Sequence, residues 1–286
     1  MKLIRKIVLQ YYTIFCNLSI DVAIGVFCNQ LAIAKVFQLN LPLLWYIGLP
    51  LISWIVYLSD HVVDVFRNKG PHLNTTHLFI RKNVRKVLWL IVILSALSVY
   101  LVQQNTDKTL WLCGAVMAVF VLLHFIVSFF NPLRRTLFNN KELGVAFIYA
   151  TSIYILPLYK ALHESYFEVM VHFYLLFLLM TYVNLLQNSL ISFTVDKLEG
   201  QSSFIQSMGY AKGEAISKGV FASAILYLGW IWISQIPISK GLLGCYFLML
   251  AAHVIIWLNR EKLRPNEWYK RLAELSFWIP ILLWYA

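Results

Sequence analysis

The sequence predicts an all-α membrane protein, a single polytopic domain over residues 1–286 built as a bundle of nine transmembrane helices. Three observations predict it. The chain is 60% hydrophobic and only 13% charged, with a mean hydropathy of +0.70, whereas soluble domains run at about 45–50% apolar and about 25% charged. Its apolar residues gather in nine runs, each near the roughly 20 residues that a spanning helix needs. Its bases are sorted: Lys35, Lys108, Lys160 and Lys240 fall in one set of connections, and the other twenty of the 24 Lys and Arg fall in the alternate set. The positive-inside rule makes the basic set cytoplasmic, which places the N-terminus inside and, after nine spans, the C-terminus outside. The net charge of +11 does not signal a nucleic-acid partner, because the bases are dispersed in short clusters between apolar runs as topogenic charges are.

The expected spans are 14–36, 41–63, 86–104, 109–130, 143–160, 167–194, 216–236, 241–259 and 270–286. The first follows a basic start, Met1-Lys2-Leu3-Ile4-Arg5-Lys6, that looks like the head of a signal peptide. No small-x-small cleavage site follows and the next run is of spanning length, so it is expected to be retained. Asp21 lies inside that run and must face the bundle or the interface. The second and sixth runs continue beyond the hydrocarbon thickness, as where a helix enters a polar cavity or a tight loop. Cys16, Cys28, Cys113 and Cys245 lie within or beside apolar runs without CxxC spacing and read as packing residues, with neither metal nor disulfide.

The second run closes on Tyr57-Leu58-Ser59-Asp60-His61-Val62-Val63-Asp64. On a helix Asp60 and Asp64 stand at i and i+4 and share one face. Two like charges at that spacing repel, and at the mouth of a membrane helix they need a counter-charge. A divalent metal carrying a phosphate group would supply it, since Mg²⁺ takes one or two carboxylates plus phosphate oxygens. Solvation, or pairing with Arg67 and Arg81, would serve as well. The sixth run ends in a polar stripe of period four, Asn184, Asn188, Ser192 and Asp196, on an otherwise apolar helix. It reads as a cavity lining that ends in a carboxylate or as interhelical hydrogen bonding. The connections hold bases that can meet phosphate oxygens: Arg67 and Arg81 after the second span, and Arg134, Arg135 and Lys141 after the fourth. Orientation charges alone would also account for these. By topology, the Asp60–Asp64 end and the Asp196 end open to the same side.

At these residues the chain resembles the UbiA superfamily of intramembrane prenyltransferases, as a divergent bacterial member. Asp60 and Asp64 match the last two acids of the family's first motif, Asn-Asp-x-x-Asp-x-x-x-Asp, with Val56 and Tyr57 in the first two places. Asp196, Gly200 and Ser203 match the end of the second motif, whose earlier acids are replaced by Asn188 or Ser189 and by Ser192. Pro132-Leu133-Arg134-Arg135 resembles the family's basic loop after the fourth span. The resemblance implies an inner-membrane, multi-pass transferase with its site facing the cytoplasm. It implies Asp60, Asp64 and Asp196 as metal-holding catalytic residues, Mg²⁺ as cofactor, and a prenyl diphosphate with a hydrophobic acceptor as partners. Asn188, Ser192, Arg67, Arg81, Arg134, Arg135 and Lys141 would contact substrate. The thinned carboxylate set leaves a second expectation: a non-catalytic protein that binds or transports isoprenoid or lipid on the same fold.

Overall fold

The computed structural model describes residues 2–67, 74–104, 107–129, 140–200, 203–234 and 239–284, and no strand occurs among them. In chain order α1 (Lys2–Asn17) and α2 (Ile20–Val36) meet at a bend of 75°. There follow α3 (Leu43–Arg67), α4 (Thr75–Gln103), α5 (Lys108–Phe129), α6 (Lys141–Ala161) and α7 (Phe167–Ile191). Two short helices, α8 (Phe193–Leu198) and α9 (Phe204–Met208), lead to α10 (Tyr210–Ile233) and α11 (Lys240–Leu258). The chain closes with α12 (Arg260–Leu263), α13 (Trp268–Ser276) and a 3₁₀ turn at Ile279–Trp284. Among the described residues seven helices, α3 to α7, α10 and α11, are long and apolar enough to cross a membrane, or eight spans if α1 and α2 count as one bent crossing. The multi-pass all-helical class is therefore as expected, while two of the nine runs differ from continuous spans.

The first run, expected as one helix over 14–36, breaks at Leu18–Ser19. Ser19 takes φ 54°, a region few non-glycine residues occupy, and its neighbours explain why. The Leu18 carbonyl accepts from Trp54 Nε1 at 2.6 Å, and Arg271 Nη1 donates to Thr13 Oγ1 at 3.2 Å. These contacts hold α1 off the axis of α2. Hydropathy does not register them, because they come from residues far along the chain.

The last run, expected over 270–286, is not one helix either. Pro280 lacks the N–H that an α-helix would use, and α13 gives way to the 3₁₀ turn around it. The segment nevertheless runs the length of α2. Trp278 Nε1 donates to the Asp21 carbonyl at 2.9 Å, Asn29 Nδ2 donates to the Phe277 carbonyl at 2.9 Å, and Lys35 Nζ donates to the Leu283 carbonyl. Gly25 permits the close approach: a Cβ there would stand 3.2 Å from Phe277 Cβ.

The core sits around α7, the most buried of the crossing helices. Its first half is apolar on nearly every side, as a helix enclosed by others is, and its second half carries the buried polar residues Thr181, Asn184 and Gln187. Phe173–Tyr246, Phe177–Phe277 and Tyr149–Phe277 meet edge-to-face there, Tyr149 stacks on Phe177, and Tyr154 lies tilted against Phe177. Tyr154 and Tyr246 satisfy each other's hydroxyls at 2.6 Å. In contrast, α4 and α5 are peripheral, with little of either helix buried. α5 packs mainly against α6. Those faces carry Trp89, Val92, Leu112 and Val119 outward, a composition suited to lipid.

Candidate functional site

A cavity of about 680 Å³ lies between α3, α5 and α6. Along α3 it runs from Leu44 to Asp60, about 24 Å at 1.5 Å per residue. That is close to the roughly 30 Å of a hydrocarbon core. Its walls are apolar for most of this length, with Gly48, Gly114 and Ala118 leaving room. Polar groups gather at one end, where Asp60 and His124 line it. Tyr57 and Tyr149 form its flank toward the middle of the bundle, and the buried Tyr149 hydroxyl has no hydrogen-bond partner. Such a shape suits a long apolar chain with a polar head.

At that end α3 presents Asp60 and Asp64 one turn apart, and both reach the same point. Lys141 Nζ stands 3.7 Å from Asp60 Oδ2 and 3.9 Å from Asp64 Oδ2. Lys141 is the first residue of α6, and its neighbours fix the backbone there. Asn140 caps α6, its Oδ1 accepting from Leu143 N at 3.0 Å. Glu142 accepts from Ser189 Oγ at 2.8 Å and from Phe204 N at 3.1 and 3.0 Å, joining α6 to α7 and α9. His61 and His124 also face Asp60.

Asp196 lies on the same end of the bundle, in a different set of contacts. It accepts from Ser192 Oγ one turn earlier and faces Lys270 and Glu199. Burial pushes its carboxyl up from the usual carboxylate range, against the opposing pull of Lys270 and Ser192. Lys270 itself stands 3.4 Å from Glu267, and Thr75 Oγ1 donates to the other oxygen of Glu267. Glu199 is 2% exposed; it accepts from Asn74 N at 2.6 Å and meets His77 Nδ1 at 3.1 Å. It thereby ties the end of α8 to the start of α4. Replacing Glu199 by alanine takes the acceptor from the buried Asn74 N–H, at about 1–3 kcal/mol. A clear fall in thermal unfolding temperature in detergent is the expected result, and an unchanged midpoint would exclude this role.

The second-motif residues have local structural duties as well. Gly200 ends α8 at φ +68°, the left-handed C-cap that glycine adopts without strain. Ser203 caps α9, accepting from Gln206 N at 3.2 Å. The polar stripe forms a ladder: Asn188 Nδ2 donates to Asn184 Oδ1 at 3.0 Å, and Asn184 Nδ2 to Glu274 Oε1 at 3.1 Å. Asn188 Oδ1 is buried without a partner. Arg81 is exposed on α4. Arg134 and Arg135 lie outside the described residues, as does the side chain of Arg67.

Tested against Mg²⁺, the residues fit in part. Among the described residues no three of His, Cys, Asp and Glu are grouped to hold a metal, so Asp60, Asp64 and Asp196 do not close as a trio. Asp60 and Asp64 do converge on one cation, the Lys141 ammonium. Two carboxylates completed by substrate phosphates are an ordinary Mg²⁺ donor set. Sequence reasoning missed His124, Glu142, Lys270 and Glu274. A lone histidine in the apolar run 109–130 was the available signal for the first. The others become informative only through contacts distant in sequence.

No family model matches the chain, and no curated protein or solved structure is found similar to it.

Proposed function

We propose that the chain is an integral membrane prenyltransferase, moving an isoprenyl group from a prenyl diphosphate to an aromatic or lipid-like acceptor. The observation that carries this reading is the apolar cavity, about 24 Å long along α3, that ends at Asp60, whose carboxylate shares the Lys141 ammonium with Asp64. The isoprenyl chain lies along α3 and α5, and its diphosphate sits beside Asp60 and Asp64. The basic end of the bundle faces the cytoplasm of an inner membrane, following the charge asymmetry.

The residues then have separate tasks. The carboxylates of Asp60 and Asp64 bring negative charge to the cavity's polar end, which repels a diphosphate. Mg²⁺ held by Asp60 and Asp64 would reverse that sign and would supply charge stabilisation for the leaving diphosphate. Asp60 and Asp64 hold the ion; Lys141, with Arg67, Arg81, Arg134 and Arg135, meets phosphate oxygens. The apolar walls exclude water from the allylic cation, and the ring faces of Tyr57 and Tyr149 can stabilise it. Asp196, Asn188 and Ser192, expected at the site, are not among the residues lining the cavity and are engaged in local hydrogen bonds along α7 and α8.

A second reading, a non-catalytic isoprenoid-binding or transport protein on the same scaffold, is favoured by one observation. Asp196 is engaged by Ser192 and faces Lys270 instead of joining the pair. Pyrophosphate release from a panel of prenyl diphosphates, with and without Mg²⁺, separates the two. Mg²⁺-dependent release supports the transferase. Saturable binding with no release under any condition would establish the second reading in its place.

A further inference from the structure

We propose that Lys141 competes with a divalent cation for the Asp60–Asp64 pair, so that metal entry turns the Lys141 ammonium toward the donor's phosphate oxygens. The inference rests on the transferase reading of this site and adds the order in which its charges exchange. Lys141 Nζ is nearly equidistant from Asp60 Oδ2 and Asp64 Oδ2, at 3.7 and 3.9 Å. The two oxygens that meet the ammonium are the ones that an ion between the carboxylates would use. Mg²⁺ draws its oxygens to about 2.0–2.1 Å, which places it within a few ångströms of Nζ, where like charges repel strongly.

One of the two cations must therefore leave, and the structure indicates how. The α6 start is pinned by the Asn140 cap and the Glu142 contacts, so the side chain moves and the helix stays. That side chain is 31% exposed, and its partners are 30% and 19% exposed. Pairs with this much solvent are weak and yield to a doubly charged ion. The displaced ammonium remains tethered at the cavity's polar end, where it adds a positive charge for the diphosphate. Metal and donor then bind with mutual help, and neither holds tightly alone.

The test is Mn²⁺ titration of the purified full chain in lipid nanodiscs, read by loss of the free-ion electron paramagnetic resonance signal. Lys141→Met is expected to bind Mn²⁺ about tenfold more tightly than the wild type, a difference of about 1.4 kcal/mol. Lys141→Arg keeps the wild-type affinity, and the gain disappears in Lys141→Met/Asp60→Asn. Equal or weaker binding by Lys141→Met, in protein that elutes as a single species, overturns the proposal. So does a gain that survives Asp60→Asn, or no Mn²⁺ uptake by any variant. Pyrophosphate release by the wild type, measured separately, distinguishes failure of this exchange from failure of the transferase reading.

Discussion

Asn in place of Asp60 is expected to lower pyrophosphate release from a prenyl diphosphate by about a hundredfold or more, the usual cost of removing one pre-organised charge-stabilising group. The substitution keeps the side chain's shape and removes only its charge. Asp60 is 30% exposed, so the new amide can be solvated and the fold is spared. Lys141 keeps Asp64 as a partner, which limits any rearrangement of α6. The loss is therefore expected in turnover and not in yield or thermal midpoint. Asp64→Asn is expected to behave alike, because both carboxylates hold one cation. Release within a few-fold of wild type in either variant would remove the acid pair from the chemistry.

Gly114→Trp is expected to abolish use of long-chain donors while sparing a five-carbon donor. A Cβ at Gly114 meets nothing within 4 Å, and the residue lines the cavity on α5. An indole there fills space that a long chain needs and leaves the Asp60 end open. Losing glycine from a helix interior should itself help stability, by up to about 1 kcal/mol. A poorly folded protein is thus not the expected explanation of lost activity. The measurement is pyrophosphate release with donors of increasing length, and a drop of at least about tenfold is expected for the long ones alone. A uniform response to all donors would show that the chain binds elsewhere.

The long apolar helices were legible because apolar length alone specifies them, and α3, α5 to α7, α10 and α11 fall on the expected runs. Helix α4 begins at Thr75, well before the expected start at 86, and so takes in Arg81, which was expected in a loop. The bend at Ser19 was not legible. It depends on Trp54 reaching the Leu18 carbonyl and on Arg271 reaching Thr13, contacts 36 and 258 residues apart in sequence. The broken last segment carried a sign in Pro280, which a hydropathy window averages away. At the site, the shared face of Asp60 and Asp64 followed from helix periodicity. Their partner Lys141 could be named as a base near the site, but not as the charge between them, because that requires the register of α6 against α3. Asp196 shows the converse. Its partner Ser192 is one turn away in the same stripe, so a local bond satisfied the residue that the motif had assigned to a distant pair. Glu199, next to it, is taken up by Asn74 and His77, a use of acid that composition does not distinguish from ligation.

The outer wall of the cavity is a single helix, α5, fastened chiefly to α6 and otherwise bare. If the cavity holds a donor's tail as proposed, amphiphiles dissolved in the surrounding leaflet would reach the interior by sliding sideways, without passing through water. Alkyl-chain surfactants have the same route and the same fit. They will act as competitors during extraction, and apparent affinities for any tailed ligand will depend on the solubilising medium, being weakest in long-chain micelles and strongest in a native-like lipid patch.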